Sequence, residues 1–551
     1  MSDLDRRLFL GRLGSSTTAA LAAAGVSVDA LLAPASAHAA APAAPAGDRM
    51  AEAYAARIRA ADRMAGVGLP AHPANGDETL VPLHAANFSK ALPHDALGHV
   101  DPAAYAQLLD ALASGANADF EAITLGDGHR PLTNPQAGLA FDLEGLDPQQ
   151  FVVPPAPAFA SAEEAGEMVE LYWMSLLRDV DFRQYGAHPL AAAAAAELGH
   201  LSDFRGPRQG SLVTAQTLFR DDLPGCLTGP YVSQFMWLDT PFGAEAVTRR
   251  MRTLLPRTDQ VTTFADWLAV QNGFVPGKER FDPLRRYIRN GRDLAQWVHI
   301  DVLFQAYFNA CLILGTPVAG GGVACPPNPS NPYVGSQTQI GFGTWGPPFF
   351  KTILCEVATR ALKAVWFQKW FVHRRLRPEE FGGRVHVQRN GLFAYPLHGD
   401  VLQSKVVERL ERKNGTSLLP LAFPEGCPTH PSYGAGHATV AGACVTLLKA
   451  LFDETFVIPL PMVPDFSGTR LVRYTGPALS VGGELNKLAS NVATGRNLAG
   501  VHWRSDARES MRLGERIAME VLKDTLALCP EDMSHGVSFT AFDGTTATVT
   551  P

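Results

Sequence analysis

Charge is scarce in this chain of 551 residues: Asp, Glu, Lys and Arg make up 18%, against 46% hydrophobic residues. That balance excludes a disordered protein, which has less apolar content and more charge. The charge present leans acidic, with 54 Asp and Glu against 47 Lys and Arg for a formal net of −7. A protein built to bind nucleic acid is usually basic, so that class is disfavoured. Cysteine is scarce too. Seven residues, an odd number with no framework spacing and no C-x-x-C pair, point away from a disulfide scaffold and a structural zinc site. Long apolar runs are missing: the best, Ala306 to Leu314, is cut by Gly315 and Pro317 short of the ~18–20 residues a bilayer span needs. There is no internal repeat and no heptad run. What remains is a large soluble globular chain, long enough for two to four domains of ~100–200 residues. Any site for an anion must be built locally, against the sign of the whole.

The N-terminus reads as an address. Asp5-Arg6-Arg7-Leu8-Phe9-Leu10, a small apolar run from Thr18 to Val28, and an A-x-A site ending at Ala39 have the form of a twin-arginine export signal over residues 1–39. Periplasmic or secreted localisation is the expectation. Beyond it, Ala51 to Met64, Ser161 to Leu177 and Pro189 to Leu198 are rich in helix formers, and Ser161 with Glu164 has capping-box spacing. Strand signals are few: Arg384 to Gln388 and Thr545 to Val549. The expected fold is mainly all-α, helical bundles with long loops and minor β. Residues 40–288 read as an N-terminal helical region, 289–530 as the catalytic bundle and 531–551 as a tail. From Val302 to Phe350 there is no Asp, Glu, Lys, Arg or His, a poor composition for a solvated linker. It reads as a helix running into a long loop packed against protein, within the subunit or at a subunit contact.

Three later segments carry chemistry. In Lys369-Trp370-Phe371-Val372-His373-Arg374-Arg375-Leu376-Arg377-Pro378, a helix would line Lys369, His373 and Arg377 along one drifting face, with Pro378 ending it. In Pro428-Thr429-His430-Pro431-Ser432-Tyr433-Gly434-Ala435-Gly436-His437, a glycine-rich turn precedes a helix whose apolar stripe is Val440, Cys444, Leu447, Leu448 and Leu451. Such a helix mouth presents N–H groups to an anion, with His437 able to move a proton there. In Gly495 to Asp506, Arg496 follows a helical stripe of Leu485, Leu488 and Val492, and His502 and Asp506 are spaced so a carboxylate can orient an imidazole. Each segment alone is equally a basic helix end, an incidental loop or a surface His–Asp pair.

Together and in this order, Lys-x7-Arg-Pro, Gly-His before a helix, and Arg-x5-His-x3-Asp resemble the signature of the vanadium haloperoxidase and type 2 phosphatidic acid phosphatase superfamily. His430-Pro431-Ser432-Tyr433, Gly483 to Ala489 and Arg289-Asn290-Gly291-Arg292-Asp293-Leu294, continuing through Trp297-Val298-His299, resemble the algal and cyanobacterial bromoperoxidases within it. The resemblance spans roughly residues 289–525. It implies vanadate as cofactor, with His502 as the vanadium ligand and Asp506 orienting it. It matches Lys369, Arg377 and Arg496 to the cations around the oxyanion, Gly436 to a backbone donor and His437 to the acid–base residue. Lys369 is further expected to polarise bound peroxide, and Trp366 and His430 fall on the halide side. The implied reaction is oxidation of a halide by hydrogen peroxide, bromide favoured over chloride and iodide accepted, followed by halogenation of an organic acceptor. A homo-oligomer is expected.

One departure stands out: Ala435 occupies a position where the family usually has Ser, removing a hydroxyl donor worth roughly 1.5–3 kcal/mol to a charged group. Gly495 in place of the superfamily's Ser does not count against the bromoperoxidase branch. The alternative reading is an acid phosphatase using a phospho-His502 intermediate, with His437 protonating the leaving alcohol. A third is a non-catalytic oxyanion binder, in which His437 and the His502–Asp506 pair would lack a purpose.

Overall fold

The computed structural model describes residues 48–316 and 324–551; the export signal read at residues 1–39 lies outside them. The chain divides into two units. In the first, ending at Ile58, the described residues begin helix α1 (Arg49–Val67); the second, Arg59–Pro551, holds every site residue. The boundary read at 288 runs through this second unit, where Arg178 Nε donates to Leu498 O and Nη2 to Pro420 O, each at 2.8 Å.

The fold is mainly helical, and the strands among the described residues form four small two-stranded antiparallel sheets. Ser161 caps α2 (Ala162–Leu177), its Oγ accepting from the Glu164 N–H at 3.1 Å. The expected box is only half made, because the Glu164 carboxylate turns inward to Arg375. Helix α3 (Pro189–His200) follows, with Pro at its first position. Later come α4 (Gly291–Trp297), α5 (Gln305–Leu314), α6 (Pro347–Phe367), α7 (Pro378–Arg389), α8 (Gly436–Leu451), α9 (Val481–Leu498) and α10 (Arg504–Leu528). The Thr545–Val549 strand reading meets a real strand, Thr546–Val549, paired with Val537–Thr540.

One expectation is corrected and another extended. Arg384 to Gln388 is not a strand; it lies in α7, which opens at Pro378. A proline at the first helical position loses no hydrogen bond and brings the right φ. The expected stripe of α8, Val440, Cys444, Leu447, Leu448 and Leu451, is buried, and burial extends well beyond it. Of its 16 residues every one is buried except His437, and it packs between α6, α9 and α10. A helix apolar all round belongs in a core. Its crossing with α10 is close because of two glycines: a Cβ on Gly442 would fall 2.0 Å from Met511 O, and one on Gly514 2.0 Å from Thr439 O. This contact holds the mouth of α8 against the start of α10, where His502 lies.

The charge-free segment divides in two. Helix α5 is packed into the core through Ala306, Tyr307, Ala310 and Cys311, as expected. In the loop beyond it, Val334, Ile340 and Phe342 are exposed rather than packed against this chain.

Candidate active site

Lys369, His373 and Arg377 do not share a helix face. Helix α6 widens into a π turn over Gln368–His373, Arg374 takes a left-handed conformation (φ 41°), and the chain reverses. Lys369 therefore sits in the π turn and Arg377 at the cap of α7. His373 is diverted from the site and meets the Tyr433 ring edge-on at 4.8 Å. Lys369 is fully buried, its Nζ donating to Pro431 O at 2.8 Å and Ser432 O at 2.9 Å. Arg377 donates from Nε to His430 O at 2.9 Å, from Nη1 to Val501 O at 2.7 Å and His502 Nε2 at 3.0 Å, and from Nη2 to His430 Nδ1 at 2.9 Å.

His502 precedes α10 rather than riding on it, since the helix begins at Arg504. The expected pairing still forms: His502 Nδ1 lies 2.8 Å from Asp506 Oδ2. It forms because Asp506 occupies the first turn and also accepts the Trp503 N–H at 3.2 Å. Ser432 Oγ donates to the same carboxylate oxygen. Behind it lies a residue that sequence reading missed. Arg375 Nη1 donates to Asp506 Oδ1 at 2.8 Å, while Nη2 reaches Glu164 and, at 3.2 Å, Glu167, all of them buried. Burial pushes the Glu164 carboxyl well above its usual range and Glu167 up to about 7, against the pull of Arg375. The signal available in the sequence was a row of acids, Glu164, Glu167 and Glu170, in an otherwise apolar helix.

His437 is the second residue of α8, after Gly436. Its Nε2 lies 3.0 Å from Asp301 Oδ1, whose side chain is only 4% exposed. Asp301 was also missed; it is the last ionisable residue before the charge-free segment. Arg496 donates Nη1 to Val298 O at 2.7 Å, while its buried Nε has no partner among the described residues. The Ala435 N–H donates to Ser510 Oγ at 2.7 Å, so Ser510 is turned to the backbone there.

Gly436, His437, Arg496, His502, His430 and Trp366 line one cavity of about 600 Å³. Lys369 and Arg377 do not line it directly; they stand behind His430 and His502, so the expected ring around one cavity has two layers. A Cβ on Gly436 would fall 2.9 Å from the Trp366 ring, so only glycine leaves the helix mouth open there. Among the described residues none of Lys369, Arg377 and Arg496 has a carboxylate ion-pair partner. Burial and mutual repulsion hold Lys369 well below its usual value, lower Arg377 through burial, and bring Arg496 down to about 10. The same burial and the same cations hold His430 and His502 far below the ordinary imidazole value, so both are neutral. Three buried cationic side chains with carboxylates only beyond ion-pair distance among the described residues are costly unless an anion joins them. A compact oxyanion fits the donors present.

The comparisons identify the family. A family model described as the VCPO second helical-bundle domain matches residues 357–529, taking in every site segment from Lys369 to Asp506. A vanadium-dependent bromoperoxidase of Corallina pilulifera is 35% identical over 89% of this chain and 96% of its own length. One of Ascophyllum nodosum is 35% identical over 91% of this chain and 92% of its own. A homohexameric vanadate-dependent bromoperoxidase structure from Ascophyllum nodosum superposes with a TM-score of 0.86 at 30% identity, covering 96% of both chains. With relatives at this identity over nearly its whole length, the chain belongs to the vanadium-dependent haloperoxidase family.

Proposed function

We propose that this vanadate-dependent haloperoxidase oxidises bromide in preference to chloride, accepts iodide, and does so at the site built on His502. The observation that carries the assignment is the trio of buried cations without carboxylate partners, facing a neutral imidazole whose Nε2 bears a lone pair. The donor set fits vanadate on this chain's own geometry, with the orphaned Arg496 Nε as one open donor. In this reading His502 Nε2 would be the protein ligand, the Arg496 side chain and the Gly436 N–H, which line the cavity, would hold oxygens directly, and Lys369 and Arg377 would support the anion from the layer behind. The N-terminal end of α8 adds its positive dipole. Bound vanadate supplies Lewis acidity toward peroxide without changing its own oxidation state.

The chain's residues handle the protons. Asp301 accepts from His437 Nε2, leaving Nδ1 to take a proton from hydrogen peroxide and return it to the departing oxygen. Asp506 keeps the His502 proton on Nδ1. Lys369 polarises the peroxide oxygens as a point charge. Trp366 and His430, their rings 4.8 Å apart, form the halide side. Overall, halide, hydrogen peroxide and a proton give hypohalous acid and water. His430 in this pair is what leans the reading towards bromide.

Export through the leader at residues 1–39 and assembly as a homo-oligomer complete the proposal. The homohexameric relative and the exposed apolar Val334, Ile340 and Phe342 support the assembly. The test is reconstitution with orthovanadate. Purified protein then brominates a dye with peroxide and bromide, and phosphate suppresses it by competing for the cations. Hydrolysis of a chromogenic phosphate ester with silence toward peroxide would return the phospho-His502 reading. Vanadate binding without either turnover would leave an oxyanion binder.

A further inference from the structure

The cavity over the site is larger than its anion needs. At about 600 Å³ it falls in the ~300–1,000 Å³ range of pockets that hold small organic molecules, whereas a single oxyanion fills a minor part. Its polar lining includes Arg496, His502, His430 and His437 of the oxyanion site and, further out, charged and amide groups such as Arg130, Asn134, Lys363 and Glu425. Between them lies an apolar face: Leu303 from the approach to α5, Leu362 and Trp366 from α6, Phe423, and Ala137.

Two rings in that wall are pre-positioned. Trp366 is fixed by its Nε1 donating to Thr133 O at 3.1 Å, and it lies against His430. Phe423 is clamped by His299, stacked at 3.8 Å and 8°, and carries the Arg496 guanidinium 5.4 Å from its centroid. Each ring therefore touches a residue of the oxyanion site; Trp366 keeps an edge on the open cavity, while Phe423, almost wholly covered, backs the wall. Leu303 and Leu362 are half-buried, leaving apolar surface available there. Such a surface gains ~25 cal/mol per Å² when a ligand covers it.

We propose that this apolar face seats the organic acceptor, an electron-rich aromatic of one or two rings such as a phenol or naphthol, beside the halide-oxidising residues. The proposal rests on the haloperoxidase reading above, which supplies the hypohalous acid. In the transfer, the ring carbon takes the halogen from its oxygen. The ring C–H bond breaks, and the proton leaves with the hydroxide as water. An aromatic held against Trp366, Leu303 and Leu362 meets the oxidant before it escapes to solvent, so turnover saturates with acceptor.

The experiment uses the full chain and 2-naphthol in two measurements. Calorimetric titration without peroxide or halide reads binding directly, and bromination kinetics with vanadate read KM for the same compound. Leu362→Glu places a charge in the wall. Thr359→Trp, at an exposed position lining the cavity, fills space without entering the core. The expected result is saturable binding by the wild type, weakened tenfold or more in both variants, with KM rising in step. Triiodide formation from iodide and peroxide, which needs no acceptor, is the reference for each variant. Triiodide formation with no saturable naphthol binding, or with KM unchanged in both variants, overturns the acceptor seat alone. Absence of triiodide in the reconstituted wild type overturns the haloperoxidase reading and the seat with it.

Discussion

Arg377 Nη1 lies 3.0 Å from His502 Nε2 and so meets the imidazole on its unprotonated side. Arginine offers only donors and an ionised carboxylate only acceptors, so Arg377 and Asp506 impose the same tautomer from opposite ends of the ring. The lone pair is thereby kept on the nitrogen proposed as the vanadium ligand.

Replacing Asp506→Asn preserves shape but allows an amide N–H to face Nδ1, and it removes one of the three carboxylates around Arg375. Loss of an orienting carboxylate of this kind typically weakens metal affinity or activity 10–100-fold. The expected outcome is a vanadate dissociation constant raised within that range, read by calorimetry or by activity recovered on vanadate titration.

Arg496→Gln removes a buried cation that makes no ion pair among the described residues. Apoprotein stability is expected to stay level or rise, because replacing such a buried charge relieves both burial and repulsion from Arg377. Vanadate affinity is expected to fall by about tenfold or more, as for a lost charge-assisted bond of roughly 1.5–3 kcal/mol. Thermal melts with and without orthovanadate check both halves, since vanadate at 100 times its Kd adds about 2.7 kcal/mol to the wild type.

Asp301→Asn separates proton handling from cofactor binding. His437 keeps its place at the mouth of α8 but loses the carboxylate 3.0 Å from Nε2. Halide turnover is expected to drop by roughly tenfold or more with vanadate affinity unchanged, and His437→Ala to drop it by about 10²–10⁴. Parallel measurement of kcat and vanadate Kd distinguishes the two effects.

Glu167 gives a pH prediction. Its folded value, about 7, is raised above the unfolded ~4.3, so the folded state holds the extra proton in that interval. Its contribution to stability is full below ~4.3 and is lost as pH rises through about 7, when a further carboxylate ionises beside Asp506 and Glu164. Taking the two as matched near pH 5, Glu167→Gln is expected to exceed the wild type above pH 8 by up to about 3 kcal/mol, at ~1.4 kcal/mol per unit over the two units between pH 5 and the folded value of about 7. Denaturant unfolding at the two pH values measures this.

Ala435→Ser restores a hydroxyl at the cap of α8. A Ser cap adds about 0.5–2 kcal/mol to a helix over Ala. Tighter vanadate retention on dialysis is expected alongside a raised melting temperature.

The residues of the proposed site were legible through a resemblance. Lys369, Arg377, Gly436, His437, Arg496, His502 and Asp506 match the family's signature in order and spacing, whereas each segment by itself reads equally as a basic helix end, a loop or a surface pair. Helices α2, α3 and α9 were legible because capping and helix formers act within a few residues. Tertiary structure alone decided which charges neutralise which. Asp301 reaches His437 across 136 positions and Arg375 reaches Glu164 across 211, and no local rule encodes such pairs. It also placed Lys369 in a π turn and Arg377 behind the cavity wall, and buried α8 on every side but that of His437. The reason is physical: the low dielectric that makes these charges potent exists only once segments distant in sequence have excluded water together.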